Sequence, residues 1–283
     1  MKLKVIIPKG RMFNQAARLL EDAGIAVTAN GRSYIPSLGD PEIEAKIMKP
    51  QNIACLVELG SHDIAFTGRD WVVETGACVE EIMDLGFDPV RLVAAVPCST
   101  DPDGLRGRRI VVASEYERIS RTFLEERGYD YLFIRTHGAT EAYPPQDADM
   151  IIDNTSTGHT LREHGLKIVA EIMASATLFI AGAAALDNPW KRERIEELQM
   201  LFAAVLNARE RVMLEMNIPP GKLEEIVRIL PCMRAPTVAP LHRESGYSVK
   251  SAVRKGEVRR LIPLLKKIGA SDILEYEFRK VIL

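Results

Sequence analysis

A hydroxyl-rich loop follows an apolar run near the middle of the chain. Residues 148–152 predict a buried strand that ends at Asp153, and residues 154–160 then open a short predicted helix. Backbone N–H groups at a helix start bind anions, and the loop's hydroxyl groups can donate to phosphate oxygens. Asp153 stands where a carboxylate can accept hydrogen bonds from ribose hydroxyls. The alternative is an ordinary capped turn, because Ser and Thr are preferred there anyway.

Three shorter motifs also stand where predicted strands end. Gly10 allows close approach of the backbone to a ligand, while Lys9 and Arg11 offer a point charge and a planar fork for phosphate. Asp70 and Glu141 each follow a strand, and ligands of open α/β sheets bind at such strand ends. Alone, the Lys9-Gly10-Arg11 motif is weak evidence, because such a tripeptide on a surface turn is usually just solvated, and Glu141 is also typical of an ordinary first-turn carboxylate.

Several other kinds of chemistry lack their signatures. The sequence contains no G-x-x-x-x-G-K-S/T phosphate loop and no G-x-G-x-x-G turn, and no spacing suggests a hydrolase triad. His159 and His164 are not at metal-ligand spacing, so a histidine metal site is not expected. The four cysteines, none in a C-x-x-C pair, are interpreted as reduced thiols: Cys55, Cys78, Cys98 and Cys232.

Composition excludes further classes of protein. The 283 residues are 47% hydrophobic and 27% charged, enough for two or three domains with a sizeable core. A net charge of −2 argues against a nucleic-acid partner bound by bulk electrostatics but allows a local basic pocket. Because no signal peptide or membrane span is recognisable, we expect a cytoplasmic protein without a membrane partner.

Short apolar runs alternate with amphipathic runs through the first two thirds of the chain. This order predicts a mostly parallel sheet with helices on both faces. We expect a hinge at residues 99–104, where turn-forming residues cluster, and a second αβ set after it. The apolar run Ile168–Gly182 is long enough to be a strand that returns from the second lobe to the first. The predicted strands of this part are Leu3–Ile7, Glu44–Met48, Asp63–Thr67, Val90–Val96, Arg109–Ala113, Tyr131–Arg135 and Asp149–Asp153.

The last part of the chain has a different pattern. After a long predicted helix, Pro189–Arg211, residues 211–278 alternate as β-α-β-β-α-β. This order is typical of a ferredoxin-like domain.

Taken together, these motifs resemble the long form of ATP phosphoribosyltransferase, over essentially the whole chain. The resemblance rests on ordered segments at residues 9–11, 64–70, 138–141, 153–161, 235–241 and 265–270. It implies a two-lobed, periplasmic-binding-protein-like α/β catalytic core followed by a ferredoxin-like (ACT-like) regulatory domain. The implied boundaries are 1–92 with 177–208 for lobe I, 93–176 for lobe II with the hydroxyl-rich loop, and 209–283 for the regulatory domain.

The resemblance also implies an activity. Members of this family are glycosyltransferases that condense ATP with phosphoribosyl pyrophosphate (PRPP), release pyrophosphate, and open histidine biosynthesis under feedback inhibition by histidine. It implies Mg²⁺ carried largely by pyrophosphate rather than by protein ligands, admits AMP as a further ligand, and implies a homodimer or hexamer.

Site residues follow from the same resemblance. The implied catalytic residues are Lys9, Arg11, Glu141 and Asp153. The implied PRPP-binding residues are Asp153, Asn154, Thr155, Ser156, Thr157, Gly158, His159 and Thr160. The implied ATP-binding residues are Gly10, Arg11, Arg32, Lys49 and Asp70. The implied histidine-binding residues are Asn217, Ala235, Thr237 and Asp272.

This chain departs from the family pattern at two of these positions. Lys49 stands where many members have arginine, which keeps the charge but loses the bidentate fork. Asn217 replaces an acidic residue that would hold the amino group of the effector. We hypothesise that Asp272 supplies the missing carboxylate.

Three alternative classes of protein make different predictions for the sequence. A solute-binding protein of the same two-lobed architecture predicts a signal peptide and no appended ferredoxin-like domain. The effector-sensing half of a transcription regulator predicts a basic recognition helix, which is not found before Leu3. The short form of the same enzyme borrows a separate regulatory subunit, and the C-terminal domain argues against it.

Overall fold

The computed structural model describes residues 1–29, 33–243 and 245–283. These residues form two compact units, Met1–Glu21 with Ile25–Glu196 and Asp22–Gly24 with Glu197–Leu283. Within the described part of the chain, no helix has both the length and the apolar character needed to cross a membrane.

The first unit alternates strands with mostly short helices. Helix α7 begins in this unit and ends in the second. The elements are β1 Leu3–Pro8, α1 Arg11–Ala23, β2 Val27–Thr28, β3 Ser37–Leu38, β4 Ile43–Met48, α2 Ile53–Glu58, β5 Ile64–Gly68, α3 Arg69–Thr75, β6 Glu80–Pro97, β7 Ile110–Ser114, α4 Glu117–Glu126, β8 Tyr131–Arg135, β9 Met150–Thr155, α5 His159–Glu163, β10 Leu166–Ala181, α6 Ala183–Asp187 and α7 Pro189–Arg209.

Eight strands of the first unit form one sheet in the order β4-β1-β5-β10-β6-β9-β7-β8. The outer groups, β4-β1-β5 and β9-β7-β8, are parallel, whereas β10 runs antiparallel to both β5 and β6. The sheet is therefore mixed rather than mostly parallel, because two long antiparallel strands join the parallel groups. Two parallel groups bridged in this way form the predicted two-lobed α/β core, and that fold class is confirmed.

The connection between the two halves of the sheet lies in β6 and β10. These strands pair along most of their length, with register shifts that include one between Ser175 and Thr177. The predicted hinge at residues 99–104 is wrong, since that segment joins β6 to β7 within the second half. The turn-forming residues there mark a loop. The crossing strands themselves carry no turn sequence over most of their length.

Each half of the sheet has its own apolar core. In the first half, Ile6, Val57 and Leu178 belong to one buried cluster, and β5 is buried along its whole length. In the second half, Leu92 and Tyr116 belong to another, at 0% and 1% exposure. Burying one such large apolar side chain stabilises the fold by about 1.5–3 kcal/mol. These cores fix the strand ends from which the polar side chains project.

The second unit has the predicted ferredoxin-like order. Its four strands form an antiparallel sheet in the order β12-β13-β11-β14. Residues of β11 alternate strictly between buried and half-buried, so one face of the strand packs on the core with α8 and α9. The elements are β11 Arg211–Ile218, α8 Leu223–Ile229, β12 Thr237–Pro240, β13 Tyr247–Arg254, α9 Lys255–Ile268 and β14 Ser271–Glu277.

Candidate active site

A cleft of about 350 Å³ lies where several strands of the first unit end or cross. The carboxyl ends of β1, β5 and β7 and the end of β9 contribute to its wall, as expected for a ligand site of an open α/β sheet. The lining residues are Lys9, Arg11, Met12, Pro50, Gln51, Gly68, Asp70, Trp71, Asp88, Val90, Glu115, Asn154, Ser175, Ala176 and Thr177.

The Lys9-Gly10-Arg11 turn supplies two cations to this cleft. Gly10 has a φ of +89°, a conformation that glycine adopts without strain, and it separates the end of β1 from the start of α1. The ammonium of Lys9 lies 5.2 Å from the centre of the Tyr34 ring. The guanidinium of Arg11 pairs with Asp88 through Nε at 2.7 Å. Both cations therefore have a partner that orients them, while the Arg11 side chain stays 67% exposed.

The hydroxyl-rich loop is folded on its own side chains. Thr155 Oγ1 accepts the Gly158 N–H at 2.9 Å, and Thr157 Oγ1 accepts the His159 N–H at 3.3 Å. Helix α5 has only five residues, so its dipole is weaker than a longer helix would supply. Among the described residues, no partner is found for the N–H groups of Ser156 and Thr157. The groups that an anion could reach here are therefore the loop amides and hydroxyls more than the helix N-terminus.

Asp153 is a partly buried carboxyl group near other negative charges, an environment that disfavours its ionised form. Burial, with further contributions from the nearby charges of Glu141 and Glu115, raises the pKa of Asp153 to about 7, although the Asn154 N–H donates to its Oδ1 at 2.7 Å. Carboxylates gathered in this way repel one another and favour a bound cation or a developing positive charge. The predicted catalytic residues Glu141 and Asp153 therefore lie close enough for the charge of Glu141 to contribute to the raised pKa of Asp153.

Asp70 is the centre of a buried hydrogen-bond network. Its Oδ1 accepts from Ser175 Oγ at 2.7 Å and its Oδ2 accepts from Tyr116 Oη at 2.7 Å. Tyr116 Oη in turn accepts from Asn154 Nδ2 at 2.7 Å. Burial and the charge of Asp70 raise the pKa of Tyr116 far above its ordinary range, so the phenol stays protonated and donates. The network links α3, β10 and the start of the hydroxyl-rich loop.

A second carboxylate of α3 fixes the helix that follows Tyr116. Glu74 accepts the backbone N–H groups of Arg118 and Ile119, each at 3.0 Å. These N–H groups belong to the first turn of α4 and have no partner within that helix. Glu74 therefore caps α4 from the other half of the sheet and holds Tyr116 against Trp71, with ring centres 4.5 Å apart.

The predicted nucleotide residues are only partly brought together. Arg11 and Asp70 line the cleft, and Gly10 lies in the turn between Lys9 and Arg11. Lys49 is exposed directly before Pro50, which is part of the cleft wall. Arg32 lies outside the described residues.

Sequence reasoning missed several polar residues in or beside the cleft wall. Asp88 had a local signal, since Gly86 and Pro89 interrupt an otherwise strand-like run and typically mark a bulge. The others carried none, because their roles arise from pairings between distant segments. They are Gln51, Glu115, Ser175, Thr177 and Tyr116, the last of which bonds to two wall residues.

The predicted histidine-binding residues fall into two pairs. Asn217 Nδ2 donates to Asp272 Oδ2 at 2.9 Å, and hydrogen bonds from Asn217 and Ser271 lower the pKa of Asp272. Thr237 begins the edge strand β12 and Ala235 lies two residues before it, whereas Asp272 lies in β14 at the opposite edge and Asn217 in the neighbouring strand β11. Three strand spacings of about 4.8 Å separate the edges by about 14 Å. One copy of the domain therefore does not bring the two pairs together.

The α/β core carries a polar cleft with two cations, Lys9 and Arg11, in its wall, and the hydroxyl-rich loop reaches that wall at Asn154. This arrangement is typical of enzymes that bind phosphorylated ligands. A family model described as ATP phosphoribosyltransferase matches residues 49–204, and one described as the HisG C-terminal domain matches residues 208–280. The chain belongs to the ATP phosphoribosyltransferase family, in its long-form architecture. The predicted family and enzyme identity are confirmed.

Two similar proteins match this chain over nearly its full length. The chain is 41% identical to an ATP phosphoribosyltransferase of Chlorobium phaeovibrioides, covering 99% of this chain and 97% of that protein. It is 38% identical to one of Pelotomaculum thermopropionicum, with 100% of both chains covered. A solved structure described as the ATP phosphoribosyl transferase (HisG:HisZ) complex from Thermotoga maritima matches with a TM-score of 0.63 at 24% identity. It covers 71% of this chain and 98% of that one, and it supports the fold.

Proposed function

We propose that this chain condenses ATP with PRPP to N1-(5-phospho-β-D-ribosyl)-ATP and pyrophosphate, the first step of histidine biosynthesis, in the cytoplasm. The observation that carries the proposal is that the hydroxyl-rich loop enters the cleft wall at Asn154, in the same cavity as Lys9 and Arg11. A substrate with phosphates at both ends needs two such anion sites.

The loop of residues 153–160 is assigned to the 5-phosphate of PRPP. The N–H groups of Ser156 and Thr157 and the loop hydroxyls supply donors, and Gly158 with φ +72° lets the backbone turn around the phosphate. Asn154 and His159 are included because they flank these donors. Asp153 begins the loop and faces the ribose, whose hydroxyls can donate to its carboxylate.

The chemistry proposed for this cleft needs no strong base before attack. Adenine N1 attacks C1 of the ribosyl group with its lone pair, the bond from C1 to the pyrophosphate oxygen breaks, and its electron pair leaves with pyrophosphate. Positive charge that develops on the sugar is stabilised by the field of Asp153, Glu141 and Glu115. Lys9 and Arg11 bind phosphates of the two substrates and hold them in line.

Mg²⁺ is proposed to enter this site bound to oxygens of the substrate rather than to protein ligands. Among the described residues, no cluster of three or more His, Cys, Asp or Glu side chains is arranged as a metal site. The mutual repulsion that contributes to the raised pKa of Asp153 indicates a pocket that accepts additional positive charge. When bound to pyrophosphate oxygens, Mg²⁺ would neutralise charge on the leaving group.

The nucleotide is assigned to the wall formed by Gly10 and Arg11, with Lys49 as a further cation. Arg32, outside the described residues, is assigned to ATP on the family resemblance alone. Asp70 is proposed to hold the cleft wall in place, because both of its carboxylate oxygens already accept hydrogen bonds, from Ser175 and from Tyr116. The catalytic lobes are proposed at 1–92 with 177–208 and at 93–176, which places this cleft between them.

Feedback inhibition by histidine is proposed for residues 209–283. Asp272 would accept a hydrogen bond from the amino group of histidine beside Asn217. The hydrogen bond that Asn217 donates to Asp272 supports the hypothesis that Asp272 supplies the missing carboxylate. Because Ala235 and Thr237 lie on the opposite sheet edge, we infer that a complete site joins two copies of the domain. A dimer or hexamer would satisfy this requirement, and AMP remains a further ligand of the catalytic cleft.

A single assay tests the proposal. Purified protein is expected to release pyrophosphate only when ATP, PRPP and Mg²⁺ are all present, with a new product that absorbs at longer wavelength than ATP. Omission of each component in turn is the control. Pyrophosphate release without PRPP, or no PRPP-dependent product under any condition, contradicts the proposed reaction.

A further inference from the structure

Asp88 is a buried carboxylate with one oxygen in use and one unused. Its side chain is 8% exposed, and Oδ1 pairs with Arg11 Nε at 2.7 Å. Its Oδ2 is buried and has no hydrogen-bond partner within residues 1–29, 33–243 and 245–283. Leaving such a group unpaired is unfavourable, and more so when the group is charged. A group of this kind in a cleft wall indicates a missing partner.

The backbone at Asp88 is built to hold this side chain in the cleft. Asp88 has φ +44°, a left-handed conformation that is unfavourable for a residue other than glycine. It lies in β6 between Phe87, which pairs with Thr177, and Val90, which pairs with Ser175. Two residues of β6 are thus unpaired at this point, and the resulting bulge directs Asp88 to the wall. Strain of this sort is characteristic of functional positions.

Two more buried polar atoms of residues that line the same cleft lack partners among the described residues. Gln51 Oε1 and Thr177 Oγ1 have no hydrogen bond in the described part of the chain, and both residues line the cleft with Asp88. The carboxylate and the amide oxygen can only accept hydrogen bonds. Besides its cations, the cleft therefore offers acceptors to a ligand that donates N–H or O–H groups, whereas phosphate oxygens need donors.

We propose that Asp88 is a nucleotide-binding residue with two separate functions. Its Oδ1 fixes Arg11 through Nε, which leaves both terminal nitrogens of the guanidinium for phosphate. Its Oδ2 accepts a hydrogen bond from a donor of the nucleotide, either the adenine amino group or a ribose hydroxyl. The inference rests on the proposed function, because that function places a nucleotide beside Arg11.

Binding of analogues to matched variants tests this role. Asp88→Asn tolerates the left-handed backbone but places an amide where Oδ2 stood, and Asp88→Gly removes the side chain and the strain. Glu80→Gln makes the same charge change at an exposed position of β6 and is the control. Calorimetry compares ATP with its 2′-deoxy, 3′-deoxy and 6-deamino analogues, and PRPP is titrated separately.

Wild type is expected to bind one of the three analogues about 10-fold more weakly than ATP, which corresponds to about 1.4 kcal/mol. Both Asp88 variants should bind ATP about 10-fold more weakly and lose that discrimination, with KM for ATP raised more than kcat is lowered. PRPP affinity and the Glu80 control should change less than about twofold. The discriminated analogue then identifies which donor meets Oδ2.

Two results overturn the inference while leaving the proposed reaction intact. One is active wild type that binds all three analogues as tightly as ATP. The other is an Asp88→Gly variant, folded as judged by its melting temperature, that discriminates among analogues as wild type does. Wild type that binds no ATP and makes no PRPP-dependent product instead removes the proposed function, and this inference with it.

Discussion

Tyr116 donates a hydrogen bond to Asp70 across a separation of 46 residues, with 2.7 Å between Oη and Oδ2. Asp70 lies in α3, directly after a strand of the first half of the sheet, and Tyr116 directly precedes α4 in the second half. The same phenol oxygen accepts from Asn154, at the start of the hydroxyl-rich loop. One buried hydroxyl therefore connects the wall near the cations to the loop assigned to phosphate.

Tyr116→Phe should destabilise the protein by about 1–3 kcal/mol, because it leaves a buried Asp70 oxygen and the Asn154 amide unpaired. The ring stack on Trp71 is retained, so loss of packing is not the cause. Urea denaturation followed by circular dichroism measures the change. Tyr131→Phe is the matched control, since that hydroxyl bonds to Glu125 at the surface and should matter little. Equal losses in both variants would contradict a special role for the buried hydroxyl.

Asp153→Asn should stabilise the ligand-free protein above neutral pH while lowering activity. The folded-state pKa of Asp153 is raised from 3.8 to about 7, so the folded protein keeps a proton that the unfolded chain releases. The free energy of unfolding of wild type therefore falls as pH rises from 3.8 to about 7, and asparagine removes this loss. A melting temperature about 2–4 °C higher than wild type at about pH 8, and no difference at about pH 4, is expected.

The control for this pH dependence is Asp149→Asn, which should have the opposite sign. Arg108 donates to Asp149 at 2.7 Å and lowers its pKa, so ionised Asp149 contributes stability that is lost as pH falls. Asp149→Asn should therefore lower the melting temperature at about pH 8. A lower melting temperature for Asp153→Asn at the same pH would show that the field around Asp153 is favourable to its charge.

Much of the fold was predictable because local patterns and tertiary structure agree. An apolar run indicates the strand of residues 166–181, and alternation indicates the β-α-β-β-α-β order of the second unit. The cleft was only partly predictable. Lys9 and Arg11 follow a strand in sequence, whereas Ser175 meets Asp70 only because β10 crosses beside β5. Side chains that pair over such distances carry no periodicity or spacing that a single sequence displays.

Gly158→Ala should weaken PRPP binding about 10-fold and leave histidine binding unchanged. Gly158 has φ +72°, and a Cβ there would lie 3.2 Å from Arg162 Nη1, which donates to the Thr157 carbonyl. The substitution strains the backbone and displaces the loop that is proposed to hold phosphate. Calorimetric titration with PRPP and with histidine measures both affinities.

Gly128→Ala provides the comparison for that loop variant. Gly128 has φ +70°, and a Cβ added there would have no neighbour within 4 Å, so alanine imposes similar backbone strain without contact with the loop. Both variants should lose similar stability, but only Gly158→Ala should lose PRPP affinity. Comparable PRPP affinities in the two variants would place the phosphate elsewhere in the cleft.

Asp272→Asn should weaken histidine binding about 10-fold without changing the rate measured in the absence of histidine. Asp272 has φ +47°, which asparagine tolerates, so the substitution removes charge without new backbone strain. Asn217 donates to Asp272 Oδ2, and asparagine at 272 leaves the effector's ammonium without an anionic partner. Glu275→Gln, an exposed charge change on the same strand, is the control. Unchanged histidine affinity in Asp272→Asn would show that another residue replaces the acidic group, since Asn217 itself carries no charge.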